Sequence, residues 1–133
     1  MLTLFSRGQS CAGKWITIDD KTRVKKSIVE LFWKKGKLYG KIIYLYPEEG
    51  REDNPNCTEC KGELKNQPVV GLEIVQNLSW DGSQWEDGTI VDPEDGKKYT
   101  VKMWLNETDE NVLTVRGYIG FFYRTQYWVR KLD

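Results

Sequence analysis

The sequence predicts an all-β protein: a single antiparallel up-and-down barrel of about eight strands, interrupted by one long loop. Three observations carry that expectation. Segments rich in β-branched and aromatic residues recur at roughly ten-residue spacing with turn residues between them, the pattern of a barrel or sandwich. Almost no stretch shows the apolar period of a helix. Trp15 stands in the first of these segments and Arg130 in the last, and they can meet only if the sheet closes on itself.

Residues 13–18 read as the first strand, ended by the turn Asp19-Asp20-Lys21-Thr22. Residues 27–33 form the second, and Lys34-Lys35-Gly36-Lys37 is a hairpin connection to the third. That third strand, 38–46, carries Leu38, Gly40, Ile42, Tyr44 and Tyr46 on one face but Tyr39, Ile43 and Leu45 on the other. A strand apolar on both faces is covered on both, or borders a cavity. Residues 47–68 break the pattern with three Pro, two Gly and two Cys, a loop long enough to imply a function of its own. Residues 69–78 resume as a strand, and 84–86 with 88–91 give another. Asp92-Pro93-Glu94-Asp95-Gly96 is a turn by composition: Pro presets φ, Asp binds its own backbone and Gly accepts positive φ. Residues 98–105 alternate cleanly, with Tyr99, Val101, Met103 and Leu105 inward, and 112–119 and 125–132 complete the set.

At 133 residues the chain holds one core and no repeat, with the barrel spanning 13–133. Lys+Arg and Asp+Glu each number 20, so the basic excess of a nucleic-acid binder is missing. Histidine is absent, which removes the usual general base and the commonest metal ligand. An enzyme is therefore not expected, nor any cofactor or metal. No apolar run approaches the roughly 20 residues of a membrane span. Residues 1–12 read as a signal-peptide remnant or a disordered N-terminus, with a lipid anchor at Cys11 as a further option disfavoured by Gly8.

Several residues stand out chemically. An Arg130 guanidinium stacked on the Trp15 indole would plug the narrow end of a barrel, a structural role that makes both poor ligand contacts. Cys57-Thr58-Glu59-Cys60 lacks the helix that a redox CxxC motif heads. A zinc site needs four ligands, and only Cys11 or carboxylates could complete one. In an exported chain, Cys57 and Cys60 read as a local disulfide stiffening the loop. Asp92, Glu94 and Asp95 do not fit a calcium loop, because Gly96 falls at the fifth position and Met103 at the twelfth. Charge is uneven, with residues 20–41 basic and residues 73–110 acidic, which reads chiefly as solvated faces. Thr114, Arg116 and Tyr118 share one face of their strand. An inward Arg116 must be paired or hold an anionic ligand; an outward one is an ordinary surface residue. Arg116 is the leading candidate ligand contact, with Trp104, Tyr118 and Trp128 beside it at the barrel mouth.

The Trp15–Arg130 arrangement resembles the calycins, the lipocalin-like barrels. A more specific resemblance rests on Gly13-Lys14-Trp15, Cys57 to Leu64, Gly71-Leu72, Gly88-Thr89-Ile90-Val91-Asp92-Pro93, and Val115-Arg116-Gly117-Tyr118-Ile119-Gly120 followed by Arg124-Thr125-Gln126. These stretches are similar to a family of small exported bacterial proteins, domain-of-unknown-function family 2147. The resemblance implies a lipocalin-like barrel and a periplasmic or otherwise exported location, with no established activity. Two functions are expected to compete. One is a monomeric carrier of a small hydrophobic or anionic ligand, since eight strands leave room for one small ligand or for side chains alone. The other is a filled barrel that binds a protein or the cell envelope through its charged faces and the 47–68 loop.

Overall fold

Eight strands close in chain order into one antiparallel barrel in the computed structural model, which describes residues 11–132. They are β1 (Gly13–Ile18), β2 (Lys25–Lys34), β3 (Lys37–Leu45), β4 (Glu73–Trp80), β5 (Trp85–Val91), β6 (Lys98–Leu105), β7 (Val112–Ile119) and β8 (Phe122–Arg130). The loop between β3 and β4 carries a 3₁₀ turn, Gly62–Leu64. The up-and-down barrel expected from the sequence is thus the fold. Most of the expected signal remnant lies outside the described residues. Cys11, by contrast, is 1% exposed and joins the core.

One end is plugged. Trp15 pairs with Arg130 across the β1–β8 seam, and the Arg130 Cζ lies 4.4 Å from the centre of the Trp15 ring. The Trp15 Nε1 donates to the Cys11 carbonyl at 2.8 Å, tying the chain start beneath the barrel. Trp85 packs edge-on to Trp33 at 4.9 Å and against Trp80 at 5.2 Å. Leu31, Leu38, Leu78, Met103 and Leu113 fill the space above these indoles. The latch expected from Trp15 and Arg130 therefore sits where the sequence suggested.

Two irregularities re-aim side chains. The β2–β3 register slips between Ile28 and Val29, so Ile43 is an extra residue on β3. A bulge inverts the alternation beyond it. Leu38, Gly40 and Ile42 face inward, Tyr44 turns out, and Leu45 faces in again. The two-sided apolar character of this strand is a change of phase, so Tyr44 does not share a face with Ile42 as simple alternation would have it. On β5 the register slips between Trp85 and Gly88, and Asp87 has φ 63°. That is the position at which the sequence pattern breaks in two.

Candidate functional site

The end opposite the latch is open, and a cavity of about 650 Å³ enters the barrel there. Its floor is apolar, built from Ile42, Ile74, Ile90, Val115 and Trp128. Strand alternation explains the set: Val115 and Gly117 on β7, like Arg124, Gln126 and Trp128 on β8, are successive inward positions. Higher up, Thr17 and Ser27 share a hydrogen bond of 2.6 Å between their hydroxyls. The size lies within the range of small-molecule sites, roughly 300–1,000 Å³.

The rim is charged, and its cations Lys26, Arg51 and Arg124 are each paired with a carboxylate. Lys26 on β2 binds Glu48 of the long loop at 2.7 Å and Glu94 of the β5–β6 turn at 2.9 Å, so one ammonium joins three segments. That ammonium is held above its ordinary 10.5 first by the hydrogen bond it donates to Glu48, and the same bond holds the Glu48 carboxyl below 4.5. Arg124 reaches Asp20 at 3.5 Å and Asp92 at 3.6 Å. These contacts matter for closure, because β1 and β8 pair only at Trp15–Arg130 and Ile16–Val129. Towards the mouth the seam is bridged by Arg124 and Asp20 in place of a backbone ladder.

Asp92 titrates unusually. Burial pushes its carboxyl above the ordinary 3.8, despite the Glu94 backbone N–H it accepts and the nearby Arg124. The folded chain therefore holds this proton where the unfolded chain has released it, so Asp92 costs stability as pH rises through that window. Asp92→Asn keeps the acceptor oxygen and removes the charge. Its stability relative to the natural chain is expected to improve as pH rises from below 3.8 to neutrality. Denaturant unfolding of both proteins across that range checks this; parallel stability curves would contradict it.

The loop between β3 and β4 forms a lid on one side of the mouth. Cys57 and Cys60 form a disulfide, as expected from the sequence, and both are buried. Asn56 bridges Pro68, and the Val69 N–H donates to the Pro55 carbonyl at 2.9 Å. Pro55, Asn56, Thr58 and Glu59 contribute to the cavity wall. The Asp92–Gly96 segment is a turn, with Asp92 and Asp95 side chains accepting the Glu94 and Lys97 N–H groups.

Of the four expected ligand contacts, only Trp128 lines the cavity. Arg116, Tyr118 and Trp104 point outward, a correction to their expected place at the inner mouth. The cause is the pairing of β7: Leu113, Val115 and Gly117 take the inner face, which leaves Thr114, Arg116 and Tyr118 outside. Arg116 is held between Trp104 and Tyr123, at 5.2 and 4.8 Å from their ring centres. Its Nε donates to Thr125 Oγ1 at 2.8 Å. The cations that do line the cavity are Lys26, Arg51 and Arg124, none of them a candidate contact in the sequence reading; Arg124 is the one carried by β8. Its signal was alternation with the buried Trp128 through Gln126.

Fold and cavity together define a lipocalin-like barrel. The solved structure of protein HP1028 from the human pathogen Helicobacter pylori, described as belonging to the lipocalin family, superimposes with a TM-score of 0.75. The likeness covers 92% of this chain and 83% of that one at 23% identity. The chain belongs to the bacterial family described as "Uncharacterized protein conserved in bacteria (DUF2147)", whose model matches residues 13–130. No curated protein matches the sequence.

Proposed function

We propose that this chain is an exported, non-enzymatic binding protein that holds one small, mainly hydrophobic ligand with an uncharged polar end. The observation that carries the reading is the pairing of an apolar floor with a rim whose cations are already neutralised. Ile42, Ile74, Ile90, Val115 and Trp128 favour an apolar body. An anionic ligand would have to displace a carboxylate from Lys26, Arg51 or Arg124 and would meet Asp19, Glu48, Glu59, Asp92 and Glu94 on the same rim. The anionic half of the original expectation thereby loses support. Charged groups bound to each other, and not aimed across the cavity, favour holding over chemistry. The buried Cys57–Cys60 disulfide supports an oxidising compartment such as the periplasm, since such bonds are rare in reducing cytosol. No helix among the described residues is long and apolar enough to cross a membrane.

Titration with N-phenyl-1-naphthylamine, an uncharged fluorescent hydrophobe, tests the reading. Saturable one-to-one uptake is expected. Val115→Trp, which places an indole across the cavity, is expected to weaken it by at least about tenfold while the chain stays folded. A linear, non-saturating signal shared by both proteins would overturn the proposal.

A further inference from the structure

The β7–β8 hairpin ends at the cavity mouth in an exposed aromatic tip. Phe121 is fully exposed, Phe122 is 77% exposed and Tyr123 63% exposed, with Ile119 beside them. Contiguous exposure of this kind marks an interaction site. Behind the tip the outer face of β6, β7 and β8 is built in rungs: Thr100–Tyr118–Tyr123, then Lys102–Arg116–Thr125, then Trp104–Thr114–Tyr127. The three strands contain no carboxylate. Among the described residues neither Lys102 nor Arg116 joins a salt bridge, and both lie against aromatic rings, Lys102 at 5.9 Å from Tyr118.

We propose that this hairpin docks the protein on a membrane surface carrying anionic headgroups, with the cavity mouth turned towards the lipid. Three features favour that occupant. Phenylalanines at the end of a hairpin suit the boundary of the acyl region, and Tyr and Trp with Lys and Arg behind them suit the headgroup layer. From Phe122 to the Arg116–Thr125 rung is about 10 Å of strand, matching the roughly 5–10 Å depth of interfacial elements. A face with cations and no acids complements anionic lipid, whereas a second copy would set Lys102 and Arg116 against themselves. Of the carboxylates around the mouth, Asp20, Asp92, Glu48 and Glu94 are paired with Arg124 or Lys26. The docking surface stands whether or not the cavity holds a ligand.

Co-sedimentation of the full chain with phosphatidylglycerol-containing vesicles, against phosphatidylcholine alone, tests it. Binding to the anionic vesicles is expected, weakened by salt and by about fivefold in Lys102→Glu. The double variant Phe121→Ser, Phe122→Ser is expected to lose at least about tenfold. Both phenylalanines are exposed, so near-ultraviolet circular dichroism and Tm should stay unchanged and exclude misfolding as the cause. Failure to bind anionic vesicles, or equal binding by the double variant, would overturn the proposal. So would a dimer in analytical ultracentrifugation that the same double variant dissolves, since the tip would then be a self-association face.

Discussion

Trp15→Ala is expected to lower the unfolding free energy by about 3–5 kcal/mol, the range for truncating a fully buried indole. Trp15 is wholly shielded from solvent, donates to the Cys11 carbonyl and carries Arg130 on its ring. A domain of this size is stable by only about 5–15 kcal/mol, so the variant should melt far below the natural protein. Arg130→Ala is expected to cost less. The stacking itself is worth about 0.5–2 kcal/mol. The guanidinium also holds the Glu110 carbonyl at 3.0 Å and Asn111 Oδ1 at 3.1 Å, contacts that solvent can partly replace. Urea unfolding of the two variants separates the contributions. An Arg130→Ala loss equal to that of Trp15→Ala would show that the stack, and not indole burial, closes the barrel.

Gly96→Ala is expected to unseat the lid. Gly96 has φ +72°, and a Cβ there would overlap the carbonyl oxygen of Glu59 between the two disulfide cysteines. The backbone conformation alone penalises a side chain by about 1–3 kcal/mol. Relief requires the 47–68 loop to lift from the β5–β6 turn. In the natural chain Cys57 and Cys60 are almost inaccessible, so reductant reaches them only through opening. The variant should be reduced faster, roughly tenfold for each ~1.4 kcal/mol of docking lost. Unchanged reduction kinetics and unchanged stability would show that the loop does not depend on this close approach.

Much of the barrel was legible because local alternation and turn chemistry agree with the tertiary structure. Strands β1, β6 and β7 begin and end where their patterns do, and Asp19, Asp81 and Asn106 side chains accept the N–H groups of the turns they open. The Trp15–Arg130 latch was readable because closure brings the first and last strands together. Misplaced ends have particular causes. Val69 and Leu72 look like strand but belong to the loop, where Val69 pairs with Pro55 and the Leu72 carbonyl accepts the Ile42 N–H. Phe122 to Arg124 extend β8 beyond its apolar pattern because all three are exposed near the hairpin tip, so no burial alternation marks them in the sequence. Alternation along β7 puts Leu113, Val115, Gly117 and Ile119 on one wholly apolar face and Thr114, Arg116 and Tyr118 on the other, so its facing was more legible than the expectation of an inward Arg116 allowed. It is decided by neighbours: Trp104 and Tyr123 enclose Arg116 from outside, while Leu113 and Val115 meet the core. The rim pairs of Lys26 and Arg124 join residues far apart in sequence, and no spacing rule announces them.

The central claim is that the mouth cavity, and not the outer aromatic face, is the binding site. Backbone amide chemical-shift mapping during titration with N-phenyl-1-naphthylamine tests it residue by residue. Saturating shifts are expected at Ile42, Ile74, Ile90, Val115, Gln126 and Trp128, with Cys11 and Trp15 at the plugged end unmoved. Shifts confined to Trp104, Arg116, Tyr118 and Tyr123, or none at saturating probe, would contradict the account.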